Sequence, residues 1–191
     1  MVIQWDVDGV LASFQSAYHK LASNMFNVEI DPDYLPPTWD WLEQTIGKDK
    51  VSQLWEHIKQ DRYFWADLPS LVSYGTWQRI CDLDALQYFV TSRVGKTAKV
   101  QTEEWLSERF CFTPTVIVSD RKADAALALR SDYVIDDKAG NVLAVYYASP
   151  KNVKVYVLDA PYNKFSTDLV GKRVRRVTSV NQFLDDIEVN R

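Results

Sequence analysis

Two aspartates one residue apart close an apolar run near the start of the chain, in "VIQWDVDGVLASF" (residues 2–14). A buried carboxylate is costly unless it is paired, hydrogen-bonded or bound to a metal. Asp6 and Asp8 are therefore either solvated residues at a strand end, or they hold something. If the backbone stays extended through both, their side chains share one side, because the side-chain period of a strand is two. A second acidic pair, Asp136-Asp137, closes another apolar run, "DYVIDD" (132–137). Carboxylates gathered at one spot repel unless a cation sits among them. Ligation by oxygen alone points to Mg²⁺, which takes carboxylates, carbonyls, water and a substrate phosphate. A hydroxyl from Thr91 or Ser92 and the ammonium of Lys122 are suitable partners for phosphate oxygens. One carboxylate could attack phosphorus while the other protonates the leaving oxygen and then deprotonates water. Such parts suit Mg²⁺-assisted phosphoryl transfer, which relies on positioning and charge neutralisation.

These residues converge only if the intervening elements bring them together. Residues 2–6, 86–92 ("LQYFVTS"), 115–119 ("TVIVS"), 132–137 and 153–159 ("VKVYVLD") read as short apolar strands. Between and after them, 96–108, 122–130, 139–147 and 180–187 read as helices, with Asp120 expected to cap the second. Short continuous strands alternating with helices imply a parallel sheet covered on both faces. Ligands of such sheets sit at the carboxyl ends of the strands. Asp6-Val7-Asp8, Thr91-Ser92-Arg93, Lys122 and Asp136-Asp137 each fall at or just beyond such an end. The remaining stretch is helical in character. Phe14, Ala17, Tyr18, Leu21 and Met25 recur at helical spacing over 13–26. The breaker cluster "DPDYLPP" (31–37) is a loop. Residues 38–46 and 49–60 read as two short helices, and 74–83 as another.

A length of 191 residues suits one domain with a small insertion, and a 47% hydrophobic composition supports a substantial core. The net charge of −4 argues against wrapping nucleic acid by bulk electrostatics. The basic run "GKRVRR" (171–176) lacks interleaved aromatics and reads as a solvated edge. Two cysteines, Cys81 and Cys111, form no disulfide framework or metal cluster and read as packed or inert. No run of about 18 apolar residues is present, so no membrane partner is expected. The start of the chain reads as a working strand, without the basic-then-apolar pattern of a signal peptide. Cytoplasmic residence is the resulting expectation. His19 and His57 fall on predicted helices and read as structural.

"DVDGVL", "YFVTSR", Lys122 and "YVIDD" resemble, in order, the four motifs of the haloacid dehalogenase (HAD) superfamily. That resemblance implies an α/β, HAD-like Rossmannoid three-layer sandwich. It also implies Asp6 as nucleophile and Asp8 as acid/base. Thr91 with Ser92 would bind phosphate, and Lys122 would steady nucleophile and phosphate. Asp6, Asp136, Asp137 and the backbone carbonyl of Asp8 would hold Mg²⁺. The presence of Asp8 argues against the dehalogenase and phosphonatase branches, which lack it.

"DVDGVLASF", "RYFWADLPSL", "TSR", "VIDDK" and "LDAPYN" resemble more finely the landmarks of the 5'(3')-deoxyribonucleotidases. The similarity spans nearly the whole chain, with 27–60 matching only in character. It implies a core formed by 1–13 and 76–191 and a helical cap over 14–75. It also implies hydrolysis of nucleoside 5'-monophosphates, foremost pyrimidine deoxynucleotides such as dUMP and dTMP. Two positions depart from the pattern. Arg93 stands where the family usually has proline, and Lys138 where it often has arginine. Both lie near the expected nucleotide and are candidate substrate contacts. Five of the seven tryptophans fall between 39 and 77. Aromatic faces sandwich a base at roughly 1–3 kcal/mol per stack, so Phe14, Phe64 and one of Trp39 or Trp41 are the expected base contacts. A small cap also uses aromatics as core, because they bury much area per residue. The alternatives are a phosphatase of sugar phosphates or other small metabolites, and a non-catalytic nucleotide-binding protein. A repair phosphatase acting on nucleic-acid ends is disfavoured by the acidic charge. A homodimer is compatible with these features and is not implied by them.

Overall fold

The computed structural model describes residues 1–110, 113–164 and 173–189. Six strands form one parallel sheet: β1 (Val2–Trp5), β2 (Leu86–Thr91), β3 (Thr115–Val118), β4 (Tyr133–Asp136), β5 (Lys154–Leu158) and β6 (Val174–Val177). Their spatial order is β3-β2-β1-β4-β5-β6, and every neighbouring pair is parallel. The chain starts in the middle of the sheet and moves outward twice, first toward β3 and then toward β6. That reversal leaves a crevice at the carboxyl ends of β1, β2 and β4, where open α/β sheets bind ligands.

Alternation along the inner strands builds two cores, one on each face. Tyr133, Ile135 and Tyr156 join Ile3, Trp5, Phe89 and Phe183 on one side. Val134, Val155 and Val157 turn to the other and meet Ala126, Val142 and Val145. The last three come from α6 (Lys122–Leu129) and α7 (Ala139–Ala148), whereas Phe183 comes from α8 (Val180–Val189). Helices thus cover both faces of a three-layer α/β sandwich, as expected.

The first strand passes into α1 (Phe14–Phe26), α2 (Trp41–Ile46), α3 (Lys48–Gln60) and α4 (Tyr74–Asp82) before the chain rejoins the sheet at β2. Indole donors tie this helical stretch to α5 (Ala98–Ser107) and its approach. Trp65 donates to the Val94 carbonyl at 2.9 Å, and Trp105 to the Leu68 carbonyl at 2.6 Å. Trp77 donates to Ser70 Oγ at 3.0 Å. A buried indole needs such a partner, so these three rings are fixed as structure.

Two local expectations change. Asp120 does not cap α6: Arg121 precedes the helix without a side-chain cap, and its own N–H donates to Ser119 Oγ at 3.0 Å. The basic run overlaps β6, which sequence patterning did not place. Two of its arginines form ion pairs, Arg175 with Asp186 at 2.8 Å and Arg176 with Asp159 at 2.7 Å. Cys111, Gly171 and Lys172 lie outside the described residues. No helix among those described is long and apolar enough to cross a membrane.

Candidate active site

β1 delivers the first carboxylate. The pairing with β4 runs one residue beyond the strand, since the Asp6 N–H donates to the Ile135 carbonyl at 2.9 Å. The chain then folds back on itself. Leu11 and Ala12 both donate to the Val7 carbonyl at 2.8 Å, and Gly9 donates to the Ala12 carbonyl at 2.9 Å. Gly9 has a φ of +80°, and a Cβ there would lie 2.0 Å from Asp137 Oδ2. Only glycine satisfies both conditions. Its missing side chain lets the first loop press against the carboxylate that follows β4.

Asp6, Asp136 and Asp137 are all buried, and one oxygen from each lies within 4.8 Å of the others. Lys122, the first residue of α6, reaches into the group. Its Nζ lies 2.6 Å from Asp6 Oδ1 and 2.8 Å from Asp136 Oδ2. Asp136 also accepts from Asn141 Nδ2 at 3.1 Å and from the Lys138 N–H at 2.8 Å. The Tyr162 hydroxyl donates to Asp137 Oδ2. Asn163 Nδ2 donates to the Asp137 carbonyl at 2.6 Å and to the Leu158 carbonyl at 2.7 Å. The "PYN" turn after β5 is therefore the buttress of Asp137. Asn141, Tyr162 and Asn163 were not expected at the site, although "PYN" was visible as a landmark.

Three carboxylates against one ammonium leave a buried excess of negative charge. Burial first, and the Asp136 charge second, raise the Asp6 carboxyl well above its ordinary range, against the opposing pull of Lys122. Asp137 is pushed up to about 7, by burial first and by Asp136 second. Burial alone would depress Lys122, but Asp6 and Asp136 outweigh it and hold the ammonium charged. An all-oxygen donor set with unbalanced charge fits a hard divalent cation.

This arrangement predicts a pH signature in metal-free protein. A carboxyl whose folded pKa is raised binds a proton more tightly when folded, so its stabilising effect is lost as pH rises through the folded value. The metal-free melting temperature should accordingly fall between about pH 4 and pH 7, the window set by Asp137. A divalent cation should recover more stability at pH 8 than at pH 5. Thermal melts at the two pH values, with and without metal, check this; a cation effect that is larger at pH 5 contradicts it.

Asp8 stands apart from the triad. Arg93 Nη2 lies 2.9 Å from Asp8 Oδ1, Arg93 Nε lies 3.0 Å from Oδ2, and the Thr91 hydroxyl donates to Oδ2 at 3.3 Å. Asp6, Asp8, Thr91, Ser92, Arg93, Lys122 and Lys138 line one cleft of about 210 Å³. Phe14, Trp39, Trp55 and Trp65 form its aromatic side. The expected chemical groups thus come together. Ser92 lies exposed at the rim, with its hydroxyl donating to the Ser119 carbonyl at 3.3 Å.

The aromatic candidates divide. Phe14 is buried, stacking on Tyr18, Trp55 and Trp65 with centroids 5.1, 5.7 and 5.7 Å away. Trp39 is 45% exposed. It meets the Tyr162 ring edge-on at 5.2 Å and lies under Lys138 Nζ at 4.7 Å. Trp41 instead packs on Tyr34 and His19, at 4.7 and 5.5 Å. Phe64 sits edge-on to Trp65 at 4.9 Å. Neither Trp41 nor Phe64 is among the residues lining the cleft. Of the expected base contacts, Phe14 and Trp39 line the cleft, whereas Trp41 and Phe64 pack within the helical stretch. Arg93, expected beside a nucleotide, is buried and spends its donors on the protein.

The fold resembles that of several solved structures. A haloacid dehalogenase-like hydrolase from Burkholderia xenovorans superposes with a TM-score of 0.59 at 11% identity, covering 98% of this chain and 96% of that one. The HAD-hydrolase YfnB from Bacillus subtilis, described as bound to magnesium, gives 0.57 at 12% identity and 98% coverage of both chains. A phosphatase from Thermococcus thioreducens gives 0.52 at 17% identity and 98% of both. No curated protein matches the sequence. A family model described as "5' nucleotidase, deoxy (Pyrimidine), cytosolic type C protein" matches residues 1–187. With nearly every residue inside that match and the acidic strand ends assembled as described, the chain belongs to this family and is a phosphatase of the 5'-nucleotidase kind.

Proposed function

We propose that the protein hydrolyses nucleoside 5'-monophosphates, preferring pyrimidine deoxynucleotides such as dUMP and dTMP, with Mg²⁺ as its cofactor. The observation carrying this reading is the buried group Asp6–Lys122–Asp136–Asp137, of which Asp6, Lys122 and Asp137 line an aromatic-sided cleft. Asp6, Asp136, Asp137 and the Asp8 backbone carbonyl would hold the cation. When bound, it neutralises charge on the carboxylates and on the phosphoryl oxygens.

The chain's own residues carry the reaction. An Asp6 carboxylate oxygen attacks phosphorus, and the bond to the nucleoside oxygen breaks. The Asp8 carboxyl gives its proton to that oxygen, so the nucleoside leaves neutral. Asp8, now a carboxylate, takes a proton from water, whose oxygen attacks the aspartyl-phosphate. The bond from Asp6 to phosphorus breaks, releasing phosphate and restoring both groups. Thr91, Ser92 and Lys122 bind the phosphoryl oxygens, and Lys122 also keeps Asp6 in place. Residues 14–75 act as the cap over this site, with Trp39 and Phe14 closest to the base. Lys138 stacks on Trp39 and is a substrate contact at the cleft wall. The family description supports action in the cytoplasm on a free small nucleotide.

Phosphate release across deoxy- and ribonucleoside 5'- and 3'-monophosphates and several sugar phosphates tests the substrate class. Leading rates on dUMP and dTMP are expected. Leading rates on sugar phosphates would refute the nucleotide reading and assign the cap aromatics to packing. Exhaustive chelation should abolish turnover and added Mg²⁺ restore it; activity that survives chelation would overturn the cofactor assignment.

A further inference from the structure

We propose that Arg93 is the positioning residue for Asp8, fixing the carboxyl in its proton-transfer pose without contacting substrate itself. This rests on Asp8 being the acid/base. The guanidinium grips both Asp8 oxygens, with Nη2 2.9 Å from Oδ1 and Nε 3.0 Å from Oδ2. A planar two-point grip fixes the plane of a carboxylate as well as its place, which a lysine ammonium cannot do.

The guanidinium is itself held from behind. Nη1 donates to Thr102 Oγ1 at 3.0 Å and to the Trp65 carbonyl at 3.3 Å. Its carbon lies 5.0 Å from the centre of the Trp65 ring and 5.9 Å from that of Trp105. Trp65 and Trp105 are in turn fixed by their own indole hydrogen bonds. The Arg93 side chain is 0% exposed, while that of Asp8 is 18% exposed. The arginine therefore faces the cleft through Asp8, and turning it toward a phosphate would break contacts on three sides.

Among the described residues, the only other side-chain hydrogen bond to the Asp8 carboxylate comes from the Thr91 hydroxyl, a longer one at 3.3 Å. Without Arg93, the carboxyl at the edge of a glycine turn would be held by this single long contact, which does not fix its plane. A misplacement of about 1 Å at a reacting group costs on the order of 100-fold in rate.

The test uses Arg93→Met and Arg93→Lys with two substrates, dTMP and p-nitrophenyl phosphate. The nitrophenolate departs without a proton, whereas the nucleoside needs one. With dTMP, Arg93→Met should lower kcat by about 100-fold, within the range of a general acid, and leave KM nearly unchanged. With p-nitrophenyl phosphate, the first turnover should stay fast and later ones slow, giving a burst of about one nitrophenolate per chain. Arg93→Lys should show the same pattern, and it carries the test if the methionine variant does not fold. In an Asp8→Asn background, Arg93→Met should add no further loss, because both changes remove one function.

Equal loss on both substrates with a raised KM would overturn the inference in favour of a direct phosphate contact. So would an undiminished Arg93→Met effect in the Asp8→Asn background, or full dTMP turnover by Arg93→Met. Failure of the underlying reading looks different: there Asp8→Asn alone leaves dTMP turnover intact, and the inference falls with it.

Discussion

Asp6→Asn should reduce phosphate release by on the order of ten-thousand-fold or more, the scale on which a catalytic set fails when its reacting group is removed. The amide keeps the shape of the carboxylate but is not a nucleophile. The change should leave the fold intact for reasons visible in the site. Asparagine weakens the contact with Lys122 Nζ at 2.6 Å, but it also removes a buried charge that Asp136 and Asp137 repel. The two effects oppose each other, so metal-free stability should move by no more than about 1 kcal/mol, roughly 2–4 °C in melting temperature. Steady-state phosphate release and thermal melts of the same preparation provide the check. Full turnover by a folded Asp6→Asn protein would remove Asp6 from its role as nucleophile.

The second large effect is expected from a single methyl group. Gly9→Ala places a Cβ 2.0 Å from Asp137 Oδ2, on a backbone whose φ of +80° already disfavours any side chain. The backbone term alone costs about 1–3 kcal/mol. Relief of the overlap must come from Asp137, which is pinned on its other sides by Tyr162 and Asn163. The variant should therefore lose cation affinity and turnover together, by on the order of 100-fold in activity for a displacement near 1 Å. Isothermal titration with Mg²⁺ and phosphate release would show whether the losses coincide. Wild-type cation binding by Gly9→Ala would mean that this loop has room to shift.

Much of the site could be read before any coordinates because its chemistry sits at predictable places. Apolar runs ending in Asp6, Thr91 and Asp136 mark strand ends, and a parallel sheet collects its strand ends on one side. Side-chain contacts made across the fold were not legible. Arg93 looked like a substrate ligand, and nothing local in "YFVTSR" reveals that Trp65, Thr102 and Asp8 enclose it. Trp41 and Phe64 matched the expected chemistry of a base clamp. Their rings are instead taken up by Tyr34, His19 and Trp65. The strand Val174–Val177 escaped notice because half of it is arginine, which suits an edge position where ion pairs with Asp186 and Asp159 are available. The cap of α6 falls one residue from the expected Asp120, a difference typical of helix ends.

The central place of β1 has a consequence for the birth of the protein. The strand carrying Asp6 pairs with residues 86–89 on one side and 133–135 on the other. A bond from Val2 to Asp132 spans 130 positions. During synthesis the first strand must therefore wait for residues 86–89 to leave the ribosome before it pairs on one side, and for residues 133–135 before it pairs on the other. Such long-range closure is slow to form. It also means that no nascent fragment carries a working half-site: the carboxylates meet only when β4 docks. The enzyme thus gains its reactivity in one late step, and a truncated or stalled chain should be inert toward the cell's nucleotides.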